Sequence, residues 1–379
     1  MFCTYLHSIE KITWTVSKND TTHNIQLIIA KSKTMLGGYL VRKSAKLISI
    51  TLVVLIALSS VAFFSTGCSK TELTTVRLNE VVRSIFYAPQ YVAINKGFFE
   101  EQGLKIDLTT GQGADKTMTA LLSGQCDIGF AGPEASIYVY DQGKEDYAVI
   151  FAQLTQRDGS FLVARNDEPE FKWANTKGKV IIGGRPGGVP EMTLEYVLKK
   201  HGIIPGKDVE IITNLQFTAT AGAFTSGVGD YVALFEPTAS MLEKENAGKI
   251  VSSLGEESGL IAYTAYFTSK SVIDKNPEMI QKFTNAFYKG QLWVHSHTAE
   301  EIAETIKPFF PDADDDILIT VVKRYKEIDA WCTDPITTPE SLDLLQEVMQ
   351  TAGELNKKVE YDQIVTQGFA KRAIETVKP

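Results

Sequence analysis

Between Val76 and Tyr140 the chain switches three times from strand-like to helix-like spacing, and this alternation constrains the fold more than any other feature. Val76–Val82 is a β-branched, alternating run that reads as a strand. An aromatic loop, Arg83-Ser-Ile-Phe-Tyr-Ala-Pro89, follows. Pro89 suits the first turn of a helix continuing to Phe99. Lys105–Thr110 is a second strand, Gly111–Asp115 a second loop and Lys116–Leu122 a second helix. Asp127–Ala131 is a third strand, after which Gly132-Pro133-Glu134 opens a third helix. Strands alternating with helices imply a parallel sheet. In such sheets small ligands collect beyond the C-terminal strand ends, where these three loops gather.

A second αβ unit follows after a strand at Tyr147–Leu154 and another, Phe161–Arg165, that leaves the first lobe. Its strands are Lys179–Gly183, Val209–Thr213, Tyr231–Phe235 and Lys249–Ser253, with helices at Glu191–His201, Thr218–Ser226 and Pro237–Glu245. Ile261–Thr268 reads as the strand returning to the first lobe. The two units echo one another. Ser123-Gly-x-x-Asp127 leads into a strand and Pro133, and Ser226-Gly-x-x-Asp230 leads into a strand and Pro237. From Asn276 the pattern is helical: Pro277–His297, Ile317–Ile328, Pro339–Leu355 and Tyr361–Val377.

The stretch Tyr87-Ala-Pro-Gln-Tyr-Val-Ala-Ile-Asn-Lys-Gly-Phe-Phe-Glu-Glu-Gln-Gly-Leu104, followed by Ala120-Leu-Leu-Ser-Gly-Gln-Cys-Asp127, resembles the solute-binding proteins of bacterial ABC importers. The branch it resembles serves nitrate, sulfonates, taurine and thiamine-pyrimidine precursors. The resemblance spans roughly residues 73–379. It implies the two-lobed α/β architecture called the periplasmic-binding-protein type 2 fold, with two parallel or mixed sheets flanked by helices and joined by two crossover strands. It also implies a permease and its ATPase as partners, a single-subunit receptor and no cofactor. Lobe I is expected at 76–162 and 268–379, and lobe II at 163–267, with bending near Gly159–Arg165 and Ala262–Thr268.

Residues 1–67 hold seven Lys or Arg against two Asp or Glu, so the chain's net charge of −8 leaves −13 on residues 68–379. A body that acidic argues against nucleic acid as partner. Leu47–Phe64 is free of charge, is preceded by Arg42, Lys43 and Lys46, and is followed by Ser65-Thr-Gly-Cys68. This is the order of a secretory signal. The Cys68 junction resembles a bacterial lipobox, with Ser65 where Leu is usual, and implies lipidation of Cys68. The other reading is an uncleaved membrane anchor. Both put the body outside the cytoplasm, tethered to a membrane. Residues 1–34 precede a second methionine, Met35, and read as a mis-called start or as disordered. The signal then covers 35–67 and a linker 68–75.

No catalytic constellation stands out: Gly-x-Ser-x-Gly, His-Glu-x-x-His and a Walker loop are all missing from the sequence. Gly111-Gln-Gly113 lacks the third glycine of a dinucleotide fingerprint and serves a turn. His295 and His297 point to different sides of a helix, and Asp312–Asp316 lacks the glycine and distal glutamate of a calcium loop, so no metal is expected. Cys126 and Cys332 remain as a pair or as two buried thiols.

The candidate ligand groups are those at strand ends: Ser84, Phe86 and Tyr87; Gln112, Gly113 and Ala114; Gly132, Pro133 and Glu134; Arg185, Gly187 and Gly188; Glu236 and Pro237. Helix openings offer N–H groups to anionic or polar atoms. Phe86 and Tyr87 offer faces for a ring, and Glu134 and Glu236 offer acceptors for amino groups. The aromatic pair with two glutamates points to a neutral or amino-bearing aromatic solute, such as a thiamine-precursor pyrimidine. Arg83 and Arg185 keep a small anion open: an alkyl sulfonate, taurine or nitrate. The rival from another class is an enzyme resembling a pyrimidine synthase. The export signal and the lack of histidine between residues 24 and 200 speak against it.

Overall fold

The structure, a computed structural model, describes residues 72–378. The expectations for 1–34, the signal 35–67 and Cys68 lie outside these residues. No helix among the described residues is long and apolar enough to cross a membrane. Ten strands are present there: β1 Thr74–Glu80, β2 Leu104–Thr110, β3 Ile128–Ala131, β4 Ala148–Thr155, β5 Ser160–Ala164, β6 Val180–Ile182, β7 Glu210–Ile212, β8 Tyr231–Phe235, β9 Lys249–Ser253 and β10 Thr264–Ser269. They form two five-stranded sheets, ordered β2-β1-β3-β10-β4 and β7-β6-β8-β5-β9.

Both sheets are mixed, as expected. In the first, β1 runs parallel to β2 and β3, while β10 inserts antiparallel between β3 and β4. In the second, β6 runs parallel to β7 and β8, while β5 inserts antiparallel between β8 and β9. The antiparallel insertion is in each case the strand that has just arrived from the other lobe. The chain changes sheets between Thr155 and Ser160 and again between Ser253 and Thr264. Both exchanges lie a few residues before the places read from the sequence, 162/163 and 267/268. All five positions of β5 and all six of β10 are buried, so neither strand alternates in a way that marks its start.

β1 also ends earlier than the run Val76–Val82 suggests. Its ladder stops at Glu80 opposite Thr110, and Val81 and Val82 continue into the loop. Of the C-terminal helices, Pro277–Ser296 and Gly368–Thr376 cover the first lobe, whereas Pro339–Thr351 packs on the second-lobe helix Val189–Lys200, where Lys199 donates to the Thr351 carbonyl at 2.7 Å. Helix Pro277–Ser296 lies so close to helix Ala88–Asn95 that a Cβ on Gly290 would sit 2.5 Å from the Pro89 carbonyl oxygen. The stretch Tyr361–Val377 is two short helices rather than one, Tyr361–Ile364 and Gly368–Thr376. Between them Val365 bridges Ile150, and the Thr366 N–H donates to the Ile150 carbonyl at 2.9 Å. This break covers part of the open edge of β4, which would otherwise present unpaired backbone. Cys126 and Cys332 are both buried and free.

The internal echo has a structural counterpart. Asp127 accepts from the backbone N–H of Arg77 at 2.9 Å, and Asp230 accepts from that of Val180 at 3.0 Å. Each aspartate therefore ties the strand it precedes to the neighbouring central strand of its own lobe.

Between the lobes, beside the first crossover, lies a polar seam. Glu236 follows β8 and is 2% exposed. Its carboxylate accepts from the Ser240 N–H and hydroxyl, each at 2.8 Å, and from the Arg324 guanidinium. Arg324 comes from the helix Asp315–Glu327 and also reaches Glu243 at 3.1 Å. The neighbouring Tyr325 hydroxyl donates to the Gly159 carbonyl at 3.0 Å and accepts from the Glu236 N–H at 3.2 Å. A carboxylate this buried is tolerated only because all these partners are present. Arg324→Ala is expected to lower stability by about 3–5 kcal/mol, since it leaves Glu236 charged and unpaired. Adding Glu236→Gln should restore part of the loss. Urea unfolding of the two variants measures this, and an unchanged midpoint for Arg324→Ala would refute it.

Candidate functional site

A cavity of about 160 Å³ lies between the lobes at the strand ends. Lobe I contributes Val81 and Val82, the loop at Gln112–Ala114, Gly132 and Glu134; lobe II contributes Gly184, Arg185 and Gly188–Pro190, with Leu215–Phe217 and Phe235. Tyr87, Tyr263 and Thr264 complete it. Four aromatic residues, Tyr87, Phe217, Phe235 and Tyr263, stand in its wall. Phe217 and Phe235 have ring centroids 5.7 Å apart, and Tyr263 lies 6.4 Å from Phe235. A cavity of about 150 Å³ holds one benzene, so this one suits a single six-membered ring with small substituents.

Glu134 is the chemical centre. It is the first residue of the helix Glu134–Asp141 and is 2% exposed. Gly132 makes room for it, because a Cβ there would collide with the Glu134 carboxylate. Backbone N–H groups of Glu134, Ala135 and Val189 face the carboxyl, and Arg185 faces it from the other lobe. Burial outweighs these and pushes its pKa up to about 7. Its Oε2 is buried without a hydrogen-bond partner among the described residues. A buried acceptor left open in this way is costly until a donor arrives. Arg185 is 44% exposed and shared with Asp115 at 3.3 Å, so it only partly compensates Glu134. A second carboxyl, Asp158, is fully buried in the first crossover with its pKa pushed up to about 7 by burial. It accepts from the Ser160 N–H at 2.7 Å and the Ser160 hydroxyl at 2.5 Å.

The sequence candidates separate into three groups. Tyr87, Gln112, Gly113, Ala114, Gly132, Glu134, Arg185 and Gly188 come together around the cavity. Ser84, Glu236 and Pro237 line an adjoining cavity instead. Glu236 is not an open acceptor, because its carboxylate is taken up by Ser240 and Arg324. Phe86, Pro133 and Gly187 line neither cavity. Phe86 is buried, with its ring packed 4.9 Å from Tyr325. Pro133 precedes the helix as its cap, and the Gly187 carbonyl accepts from the Tyr138 hydroxyl at 3.0 Å. Arg83 is held at 2.6 Å by Glu80.

The lining residues missed were Val81, Val82, Gly184, Val189 and Pro190, the segment Leu215–Phe217, and Phe235, Tyr263 and Thr264. Phe217, 47% exposed on a loop after β7, carried the one available signal: a large aromatic in a polar stretch. A larger hollow of about 790 Å³ runs along Lys179, Glu191, Pro205–Glu210 and Glu354. Its charged rim keeps water, and it is the weaker candidate for a small solute. No group of three or more His, Cys, Asp or Glu among the described residues is placed to hold a metal ion.

Residues 85–301 match the family described as NMT1/THI5 like. A protein of Bacillus subtilis (strain 168) named as a binding protein, YtlA, is 48% identical over 311 residues, covering 82% of this chain and 93% of that protein. The 4-amino-5-hydroxymethyl-2-methylpyrimidine phosphate synthase of Aspergillus parasiticus is 23% identical over 232 residues, covering 58% of this chain and 66% of that one. Among solved structures, the periplasmic nitrate-binding protein NrtA of Synechocystis PCC 6803 superposes with a TM-score of 0.64 at 16% identity, covering 81% of this chain and 90% of that one. The chain belongs to the NMT1/THI5-like family and has the two-lobed periplasmic-binding-protein fold.

Proposed function

We propose that this protein is the extracytoplasmic solute receptor of an ABC importer, anchored through a lipid on Cys68, and that its ligand is a small heteroaromatic solute bearing amino groups. The observation that carries the ligand class is the buried, unpartnered Oε2 of Glu134 in a ring-sized cavity that four aromatic residues help to line. An amino group or protonated ring nitrogen supplies the missing donor, and the aromatic side chains cover the ring faces. Capture closes the lobes around the ligand, and opening delivers it to the permease. The receptor breaks no bond. The match to a binding protein across most of both chains supports this over a pyrimidine-synthase activity, for which the similarity is distant.

A second reading, a small anion, is favoured by Arg185 and by the N–H groups gathered at Glu134 and Val189. The nitrate-binding structural neighbour is in keeping with it. A thermal-shift screen of the purified protein separates the two, using pyrimidine precursors, riboflavin, taurine, alkyl sulfonates and nitrate. A ligand at about a hundredfold over its Kd adds about 2.7 kcal/mol. A midpoint raised by an amino-pyrimidine and not by the anions is the expected result. A shift from anions alone would transfer the site to Arg185 and the helix openings.

Glu134 also sets a pH dependence. Its folded pKa, about 7, lies above the ordinary value of 4.5, so the folded protein holds a proton that the unfolded chain releases. The ligand-free protein is then most stable below about pH 4.5 with respect to this group, and loses stability as pH rises through about 7. The loss is on the order of 3 kcal/mol. Melting curves from pH 5 to 8 should fall for the native protein and fall less steeply for Glu134→Gln. Asp158, Glu191 and Glu80, whose pKa values burial also raises, add slope of the same sign.

A further inference from the structure

A second chamber of about 380 Å³ adjoins the ring-sized cavity. The two share Val82, Gln112, Phe217 and Phe235, which stand between them. Both lobes build the second chamber: Arg83 and Ser84 come from one, and Thr218, Thr220 and Thr238 from the other. It is therefore part of the same interlobe cleft.

The character of the second chamber differs from the first. The charges at its wall are already matched: Arg83 is paired with Glu80 at 2.6 Å, and Glu236 is paired with Arg324. What remains is neutral: the hydroxyls of Thr218 and Thr238 and the amide of Gln112, since the Ser84 hydroxyl already donates to the Glu236 carbonyl at 3.2 Å and the Thr220 hydroxyl to the Phe217 carbonyl at 3.0 Å. Thr218 and Gln112 are exposed, and Thr238 is half-buried, so their polar ends are within reach of an entering molecule. Neutral donors and acceptors suit hydroxyl or amide partners, whereas a phosphate would call for uncommitted cations. A ring alone would fill the first chamber and leave the second to water.

We propose that the ligand is bipartite: a flat ring held beside Glu134, and a neutral hydroxyl- or amide-bearing arm that passes Gln112 and Phe217 into the chamber of Thr218 and Thr238. This rests on the heteroaromatic reading of the first cavity. Calorimetric titration of the full chain with matched compounds tests it, using cytosine, cytidine and cytidine monophosphate, adenine, adenosine and adenosine monophosphate, and lumichrome, riboflavin and its phosphate. In the series that binds, the neutral armed member should bind at least tenfold more tightly than the bare ring and more tightly than the phosphate. The double variant Thr218→Val/Thr238→Val should lower the armed compound's affinity several-fold and leave the bare ring's unchanged, which also shows that the variant is folded. A bare ring that binds as well as its armed partner overturns the bipartite ligand and leaves the heteroaromatic reading standing. A phosphate that binds best overturns the neutral arm. Binding by no ring compound removes the heteroaromatic reading and this inference together.

Discussion

The arrangement of the two lobes depends on how one buried carboxylate is neutralised. Glu236 sits where lobe II meets the helix Asp315–Glu327, and its charge is met by Arg324 and by two donors from Ser240. The same helix sends Tyr325 to Gly159, in the first crossover. Its ring packs on Phe86, whose carbonyl in turn accepts from Trp331 at 2.8 Å. Charge, hydrogen bonds and aromatic packing therefore converge beside the crossover. Across the cleft the link is of a different kind. Arg185 and Asp115 are 44% and 57% exposed, a pair that water and salt screen. The seam is thus strong at the crossover and weak beside the cavity, the arrangement that the proposed opening of the lobes requires.

Burial between the two lobes is likewise what raises the Glu134 pKa. Two helix openings and a cation surround this carboxyl, and all three favour its ionised form. Closure removes the water that would have stabilised the charge, and desolvation exceeds the sum of the favourable contacts. The buried Oε2 is thus left without a donor. Under the proposed function a donor-bearing ligand removes that cost, which would link recognition to closure through a single oxygen atom.

Much of this was legible in the sequence, and the omissions have physical causes. Strand and helix periodicity placed Tyr87, Gln112–Ala114, Gly132 and Glu134 at neighbouring strand ends, because a parallel sheet gathers such loops at one edge. The Ser-Gly-x-x-Asp echo predicted two similar units, and Asp127 and Asp230 do make equivalent bonds. Periodicity was silent on partners distant in sequence. Nothing local to Glu236 reveals Arg324, which lies 88 residues away, and the glutamate therefore read as an open acceptor. Phe86 looked like a binding face because an aromatic in a loop looks the same whether it meets a ligand or Tyr325. Tyr263 and Thr264 were hidden in a fully buried run, where neither burial nor alternation distinguishes wall from core.

The echo between the lobes also locates the origin of the site. In each unit an aspartate ties the central strands together, a short buried strand follows, and a glutamate stands beside a proline where the next helix opens: Glu134 after Pro133, and Glu236 before Pro237. The two carboxylates, one position apart in the register of the echo, have opposite surroundings. The helix Asp315–Glu327 packs over one of them and cancels its charge with Arg324, turning it into part of the hinge. No equivalent basic side chain is fully committed to the other, since Arg185 is divided between it and Asp115. The helix Asp315–Glu327 thus satisfies one of two carboxylates at the interlobe strand ends, and under the proposed function the second is left for the solute.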